Sequence, residues 1–237
     1  IGLLRRATTA VVDAYLSAPV GDYLAAVFAA LHTGRLHVMT SAGGLVDAAQ
    51  YRPKDSLLSG PAGGVAGAAE AGRRAGIEKV IAFDMGGTST DVARFAGEFE
   101  YVFEHGVGHA VLAAPALDIE SVAAGGGSVC GFAGLTLRVG PDSAGADPGP
   151  ACYGAGGPLT VTDVNLLLGR LDPDRFEIPI DRRAARAALD AVRRDLADSR
   201  GGDVATDPPL QGFLLMANHK MADGIREVSL RRGVDPS

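Results

Sequence analysis

The sequence predicts an α/β fold, and three observations carry that prediction. Short apolar runs that lead into glycine pairs read as buried strands, first among them Val80-Ile81-Ala82-Phe83 ahead of Gly86-Gly87. Longer stretches place apolar residues at helical spacing, as Leu210, Phe213, Leu214, Ala217, Met221, Ile225 and Val228 do. Finally, 33 glycines in a chain that is 47% hydrophobic imply backbone-built loops between packed elements, not a disordered polymer. Strand, glycine loop and helix in alternation argue for mixed layers.

The elements are expected in this order. Thr8 to Leu16 reads as a helix with Thr8 or Thr9 at its N-cap, interrupted by Pro19. Val20 to His32 resumes it, with Tyr23, Val27, Ala30 and Leu31 on one face, and Gly34 closes it. Leu36 to Met39 is a short strand, and Ser41-Ala42-Gly43-Gly44 turns into a short helix, Leu45 to Gln50. Ser59 to Gly64 is a loop that opens the small-residue helix Val65 to Ala75. After strand Val80 to Phe83, Val92 to Phe95 and Phe99 to Phe103 form a hairpin around Ala96-Gly97-Glu98. A loop-rich middle, Gly106 to Pro158, holds a strand pair, Ser128 to Phe132 and Leu135 to Val139. Thr162 caps a helix that ends at Gly169. Ala184 to Asp198 is an amphipathic helix, Gly201 to Pro209 a polar linker, and Leu210 to Arg232 a long helix stopped by Gly233. A helical and connecting region, 1–76, thus precedes a strand-and-loop region, 77–237.

Composition narrows the functional classes. A length of 237 residues allows one large or two small domains with a sizeable core. A net charge of -6 argues against a nucleic-acid surface built on phosphate contacts. Two cysteines, Cys130 and Cys152, make no disulfide framework and fit a reducing cytoplasm. The start has no leader-like pattern and the chain no 18-residue apolar run, so no membrane partner is expected. Ile1 at the start and Asp235-Pro236-Ser237 at the end read as the limits of a piece of a longer protein.

Asp84-Met85-Gly86-Gly87-Thr88-Ser89-Thr90-Asp91 carries the most chemistry. Glycines let backbone N–H groups come close to anionic oxygens. The hydroxyls of Thr88, Ser89 and Thr90 can donate further bonds. Asp84 can hold Mg²⁺, which takes few carboxylates and keeps most of its waters. The same residues also make a plain strand, Gly-Gly turn and second strand; the spacing alone allows both readings.

Further segments accompany this one in a fixed order. They are Leu58 to Val65, Ala123-Ala124-Gly125-Gly126-Gly127-Ser128, Arg138-Val139-Gly140-Pro141, Ala144 to Gly154 and Thr160-Val161-Thr162-Asp163-Val164-Asn165. With these motifs the chain resembles the ATP-dependent hydantoinase/oxoprolinase family, in its domain A. Arg52 to Asp55 and Ala96 to Glu100 are most similar to its 5-oxoprolinase branch. The resemblance implies an actin-like (hexokinase-type) ATPase fold, here incomplete, with ATP and Mg²⁺ as cofactors. It implies that Asp84 and Asp91 are catalytic carboxylates, with Asp84 the metal residue. Gly86, Gly87, Thr88, Ser89, Thr90 and the loop Gly125, Gly126, Gly127 would contact the nucleotide. The implied reaction is ATP-dependent opening of a cyclic amide; relatives that carboxylate ketones are an alternative, as is a non-catalytic assembly domain. A sugar-kinase-like phosphotransferase is disfavoured by the Arg138 to Gly154 segment. A second Asp-Gly-Gly-Thr loop and an adenosine motif are not found in this chain, so it reads as the central part of domain A. Its partners would be the rest of domain A, the family's domain B (on the same or a separate polypeptide) and a lactam. Apolar surface left bare would favour self-association.

The remaining candidates divide between site and scaffold. Ser59-Gly60-Pro61-Ala62-Gly63-Gly64 before a helix is an anion site in principle, but it lacks the Gly-Lys-Ser/Thr ending of a P-loop and reads equally as tight packing. Ala124 to Ser128 reads either as a nucleotide contact or as a turn into a strand. His105, His109, Cys130 and Cys152 match no zinc spacing, and Cys152 reads as a small buried residue. His219 is expected on a solvated or partner-facing helix side; Asp142, Asp147 and Asp163 lie in the matched segments, with Asp147 and Asp163 as turn and helix caps.

Overall fold

A computed structural model of the chain describes residues 2–31, 34–108, 110–134, 136–200 and 207–235. The elements follow as α1 (Leu3–Ala30), β1 (His37–Met39), β2 (Leu45–Asp47), α2 (Ser59–Arg74), β3 (Lys79–Met85) and β4 (Thr90–Ala96). Then come β5 (Tyr101–Val102), β6 (His105–Val107), β7 (Ala110–Leu112), β8 (Ala116–Leu117), β9 (Ile119–Val122), β10 (Ser128–Ala133) and β11 (Thr136–Ser143). Helices α3 (Val161–Leu167), α4 (Arg182–Arg200) and α5 (Asp207–Leu230) complete the chain. The mixed α/β class is as expected. The chain forms two compact units, Ile1–Ala82 with Ala93–Ile119, and Phe83–Val92 with Glu120–Ser237. The division falls within strands β3, β4 and β9.

In the first unit α1 is continuous, and Pro19 sits inside it instead of interrupting it. Proline removes one bond, to the carbonyl of Tyr15, on a stretch where Tyr15 is 80% exposed and solvent can take its place. The helix stops at Ala30, ahead of Gly34, and His32 lies outside the described residues. Two polar anchors hold it. The Thr9 hydroxyl accepts the Ala113 N–H at 2.9 Å, and Asp13 Oδ1 accepts the Lys54 N–H at 2.9 Å. By length and composition α1 could cross a membrane, which corrects the expectation that no such run exists.

Leu45 to Gln50 is not a helix. Leu45–Asp47 pairs with β1 in a hairpin, and only Ala48–Gln50 makes a 3-10 turn, capped by the Asp47 carboxylate. Ser59 to Gly64 is likewise no loop: α2 begins at Ser59, with Pro61 in its first turn, where a missing N–H costs nothing. Within that segment Ala62 is fully buried, whereas a Cβ at Gly60 would meet nothing within 4 Å, and the close approach comes further along the helix. A Cβ at Gly72 would lie 2.7 Å from the Val80 side chain, so a glycine is what lets α2 come this close to β3. Ala62, Val65, Ala82, Ala93 and Leu117 form the core. Phe95 and Phe99 bridge across the turn as expected, with the Arg73 guanidinium 4.9 Å above the Phe95 ring. Tyr101–Val102, however, pairs with β8 and not with β4, so the expected hairpin ends at that bridge.

In the second unit β10 and β11 pair antiparallel, Cys130 opposite Val139 and Phe132 opposite Leu137, as the sequence suggests, although Leu135 lies outside the described residues. Helices α3, α4 and α5 pack with this hairpin around Val139, Leu166, Leu189, Leu210 and Phe213. Each such large side chain contributes about 1.5–3 kcal/mol on full burial. Ala185, Leu189, Val192 and Leu196 recur on one side of α4, the amphipathic pattern that predicts it. The linker residues 201–206 lie outside the described residues.

The cap of α3 is Thr160, not Thr162. Thr160 and Asp163 form a reciprocal capping box. Asp163 is fully buried, and its oxygens accept from Thr160 N at 2.8 Å, Thr160 Oγ1 at 2.8 Å, Ala151 N at 3.1 Å and Cys152 N at 2.7 Å. One carboxylate thereby ties the Pro150–Tyr153 turn to the start of α3. Truncating it strands several buried donors, each costing about 1–3 kcal/mol. Asp163→Ala is expected to lower unfolding free energy by about 3 kcal/mol or more in urea titrations; a loss under about 1 kcal/mol would contradict this role.

Candidate functional site

Strand β3 ends at Met85 and β4 begins at Thr90, so Asp84 to Asp91 is a tight strand-turn-strand. The Gly86 N–H donates to the Ser89 carbonyl at 2.9 Å and closes the turn over Gly87 and Thr88. Neither Gly86 nor Gly87 has a positive φ, so these glycines are not there for a left-handed turn. A Cβ at Gly87 would meet nothing within 4 Å, which leaves open space above the turn.

The three hydroxyl residues have different fates. Thr90 is fully buried and donates to the Ala124 carbonyl at 2.6 Å, so it braces the loop from below and is not open to a ligand. Ser89 is half-buried and Thr88 exposed. The two carboxylates differ as well. Asp84 is exposed, and its side chain makes no hydrogen bond or ion pair among the described residues. Asp91 Oδ1 accepts the Ser121 hydroxyl from β9.

The glycine loop after β9 is brought against this turn. Gly126 N–H donates to the Gly86 carbonyl at 3.0 Å and Gly127 N–H to the Gly87 carbonyl at 2.6 Å. Gly125 N–H donates to Ser128 Oγ at 2.9 Å. A Cβ at Gly125 would lie 2.7 Å from the Gly87 oxygen and 2.8 Å from the Gly86 oxygen. The loop is seated from its other side by Thr162, whose N–H and hydroxyl reach the Gly126 carbonyl at 2.8 and 2.9 Å. Ala144 N–H reaches the Gly127 carbonyl at 2.8 Å. The N–H groups of Gly125, Gly126 and Gly127 are thus spent inside the protein. The loop acts as a clasp on the Gly86-Gly87 pair, made through the N–H groups of Gly126 and Gly127.

The clasp has a consequence for the turn. In a trans peptide the C=O and the following N–H point in opposite directions. Holding the Gly86 and Gly87 carbonyls inward therefore turns the N–H groups of Gly87 and Thr88 outward. Among the described residues neither of these, nor the Ser89 N–H, has a hydrogen-bond partner. Successive unpaired N–H groups beside glycines suit anionic oxygens. An unpartnered carboxylate at Asp84 suits a hydrated Mg²⁺, which asks for one or two carboxylates and otherwise keeps its waters.

The other candidates fall outside this arrangement. Burial, and then the Asp163 charge, push the Cys152 thiol up to about 12, and burial raises Cys130 well above the ordinary thiol range. Both are protonated, packed residues without nucleophilic character. Among the described residues no three His, Cys, Asp or Glu side chains gather to hold a metal, and His109 lies outside them. His219 is exposed on α5. Asp142 pairs with Arg138, and Asp147 is exposed. The first unit holds a groove of about 610 Å³ beside Arg6, Asp13, Arg52 and Lys54, with no part of the turn in it.

Sequence reasoning missed Ser121 and Ser143 at the site. Ser143 Oγ lies 3.3 Å from Thr88 Oγ1 and had no signal beyond its place between two of the ordered segments.

Comparison with known proteins adds to this geometry. Residues 6–237 match the family model described as Hydantoinase/oxoprolinase. The 5-oxoprolinase 1 of Arabidopsis thaliana is 40% identical over 247 residues, covering 96% of this chain and 20% of that protein. The crystal structure of the ATP-dependent caprolactamase from Pseudomonas jessenii superposes with a TM-score of 0.76 at 33% identity, over 100% of this chain and 35% of that one. The nucleotide-free structure of acetone carboxylase gives a TM-score of 0.74 at 29% identity, over 85% of this chain and 29% of that one. The chain spans about a fifth of the length of the curated 5-oxoprolinases it matches.

The clasp predicts an asymmetry between the two glycine loops. Gly125→Ala drives a methyl into two carbonyl oxygens and should cost about 1–3 kcal/mol of stability, whereas Gly87→Ala points into open space and should cost less than about 1 kcal/mol. Chemical denaturation of both variants measures the difference; equal losses would contradict the clasp.

Proposed function

Because the chain belongs to the hydantoinase/oxoprolinase family, we propose that its Asp84–Asp91 turn is a phosphate arm of an ATP-dependent enzyme that opens a cyclic amide of the 5-oxoproline or hydantoin type. The observation that carries this reading is the pair of inward-held glycine carbonyls, which turn the Gly87 and Thr88 N–H groups outward beside an unpartnered Asp84. The fold around it is read as part of an actin-like ATPase. The chain is read as the central part of a longer domain A, working in the cytoplasm with the rest of that domain and with the family's domain B. Similar proteins support an ATP-dependent lactam reaction, since one is an ATP-dependent caprolactamase and another a 5-oxoprolinase. Acetone carboxylase keeps ketone carboxylation as the second reading, on the strength of its superposition.

The residues of this chain serve that chemistry by position and charge. The N–H groups of Gly87 and Thr88 bind the phosphate oxygens, where charge-assisted bonds are the stronger kind. The Thr88 and Ser89 hydroxyls add donors on the same side. Asp84 would hold Mg²⁺, which would supply charge neutralisation beside the phosphates. Asp91, held by Ser121, keeps the second strand of the turn in register with β9. An unactivated lactam is a poor electrophile. Attack of its carbonyl oxygen on the γ-phosphorus, with ADP leaving, makes that carbon open to water; one water adds there and expels the ring nitrogen as the amine, and a second water releases phosphate from the resulting acyl phosphate to give the open amino acid. The protein contributes orientation and charge stabilisation, and this chain supplies one phosphate arm of it.

Asp84→Ala in the full-length protein should lower ATP hydrolysis by about 100-fold or more, about 2.7 kcal/mol of barrier, without moving the melting temperature. Activity within about threefold of the parent would sink the assignment. Gly87→Val should leave the fold intact, since the space above it is open, and abolish binding of a Mg²⁺–ATP analogue by calorimetry. A variant that binds the analogue as tightly as the parent would return the turn to a purely structural role. The 237-residue chain alone should hydrolyse no ATP with 5-oxoproline and bind nucleotide about 10³-fold more weakly than the whole enzyme. Lactam-stimulated turnover by this chain alone would contradict the one-arm reading.

A further inference from the structure

We propose that Ser143 is a positioning residue that turns the Thr88 hydroxyl outward as a donor to the bound phosphates; this rests on the phosphate-arm reading above. Ser143 ends β11 and is half-buried, whereas Thr88 is exposed at the tip of the turn. The Gly145 N–H donates to Ser143 Oγ at 3.2 Å, and the two hydroxyl oxygens stand 3.3 Å apart, at the long end for such a pair. Two hydroxyls share one bond, so one donates and the other accepts. Ser143 already accepts from Gly145, which polarises its own O–H and makes it the better donor. Thr88 Oγ1 then accepts, and its proton is left for a ligand. The relay runs Gly145 N–H, Ser143 O–H, Thr88 O–H, anion, with every donor aimed the same way.

The backbone around Ser143 gives this relay a firm base. Ala144 N–H is bonded to the Gly127 carbonyl at 2.8 Å, and Gly127 N–H is bonded to the Gly87 carbonyl at 2.6 Å. A Cβ on Gly127 would lie 3.0 Å from Ser143 Oγ, so the glycine is what leaves room for the serine to sit against the clasp. Ser143 is therefore tied to the same two loops that orient the outward N–H groups. Its hydroxyl does for the Thr88 side chain what the clasp does for the Thr88 backbone.

A double-mutant cycle in the full-length protein tests this, with calorimetric titration of a non-hydrolysable Mg²⁺–ATP analogue as the readout. Ser143→Ala is expected to weaken binding about five- to tenfold, the worth of about one hydrogen bond. Thr88→Ala should weaken it at least as much, and adding Ser143→Ala to Thr88→Ala should change it less than about twofold. Ser143→Thr, which keeps the hydroxyl, should bind as the parent does. Equal effects of Ser143→Ala in both backgrounds, or no effect in either, would overturn the relay. If Ser143→Ala does not fold, Ser143→Cys, of similar shape with a weaker donor, replaces it in the same cycle with the same expectations. Asp84→Ala and Gly87→Val separate the two levels: if both bind the analogue normally, the phosphate-arm reading itself fails. If both lose binding while the cycle shows no coupling, the relay alone fails.

Discussion

The site depends on two backbone hydrogen bonds, from Gly126 and Gly127 to the carbonyls of Gly86 and Gly87. A peptide unit is rigid, so fixing the direction of its C=O fixes the direction of the N–H on its other side. Two bonds made on the inner side of the turn thus decide what it presents on its outer side. The same bonds explain the glycines of the second loop. Any side chain at Gly125 would enter the space of the two oxygens it helps to enclose, and one at Gly126 would come 2.9 Å from the Thr162 hydroxyl. Glycine is required there for close approach, not for an unusual φ.

Around the clasp the second unit is organised to keep it in place. Thr162 at the first turn of α3 holds the Gly126 carbonyl, and α3 is started by the capping box of Thr160 and Asp163. Asp163 reaches outward from that box to the Pro150–Tyr153 turn, so helix start, glycine loop and turn share one set of polar contacts. Burying a carboxylate is costly unless it is fully bonded, and this one accepts from four donors. The apolar support comes from below. A Cβ on Gly224 of α5 would fall 2.5 Å from a Val122 methyl carbon, a close approach that seats the helix under the end of β9.

The legible part of this architecture was the part written in side-chain periodicity and glycine placement. α4, α5 and the β10–β11 pair announce themselves by apolar spacing, and Asp84 to Asp91 by a strand that runs into two glycines. What could not be read was set by tertiary contact. Leu45 to Asp47 has the apolar character of either element, and pairing with His37–Met39 decides for strand. Ser59 to Gly64 is rich in helix-weakening glycine, yet α2 starts there because close packing outweighs a propensity cost of about 1 kcal/mol per glycine. Pro19 has the look of a stop, but α1 runs through it, on an exposed stretch where solvent can take the freed Tyr15 carbonyl. The glycine loop is visible as a loop; that the N–H groups of Gly126 and Gly127 face the turn depends on the Gly86 and Gly87 carbonyls, far away in the chain. Thr90 shows the same limit: a hydroxyl in a phosphate-like motif, spent on the Ala124 carbonyl.

The clasp divides the backbone donors of the two glycine loops into spent and available ones. Amide hydrogen exchange read residue by residue tests that division directly. In the free protein the N–H groups of Gly126 and Gly127 should exchange slowly and those of Gly87 and Thr88 fast. Mg²⁺–ATP analogue should slow exchange at Gly87 and Thr88 and leave Gly126 and Gly127 as they were. Fast exchange at Gly126 and Gly127 in the free protein, with protection appearing there on nucleotide binding and none at Gly87 and Thr88, would contradict the account.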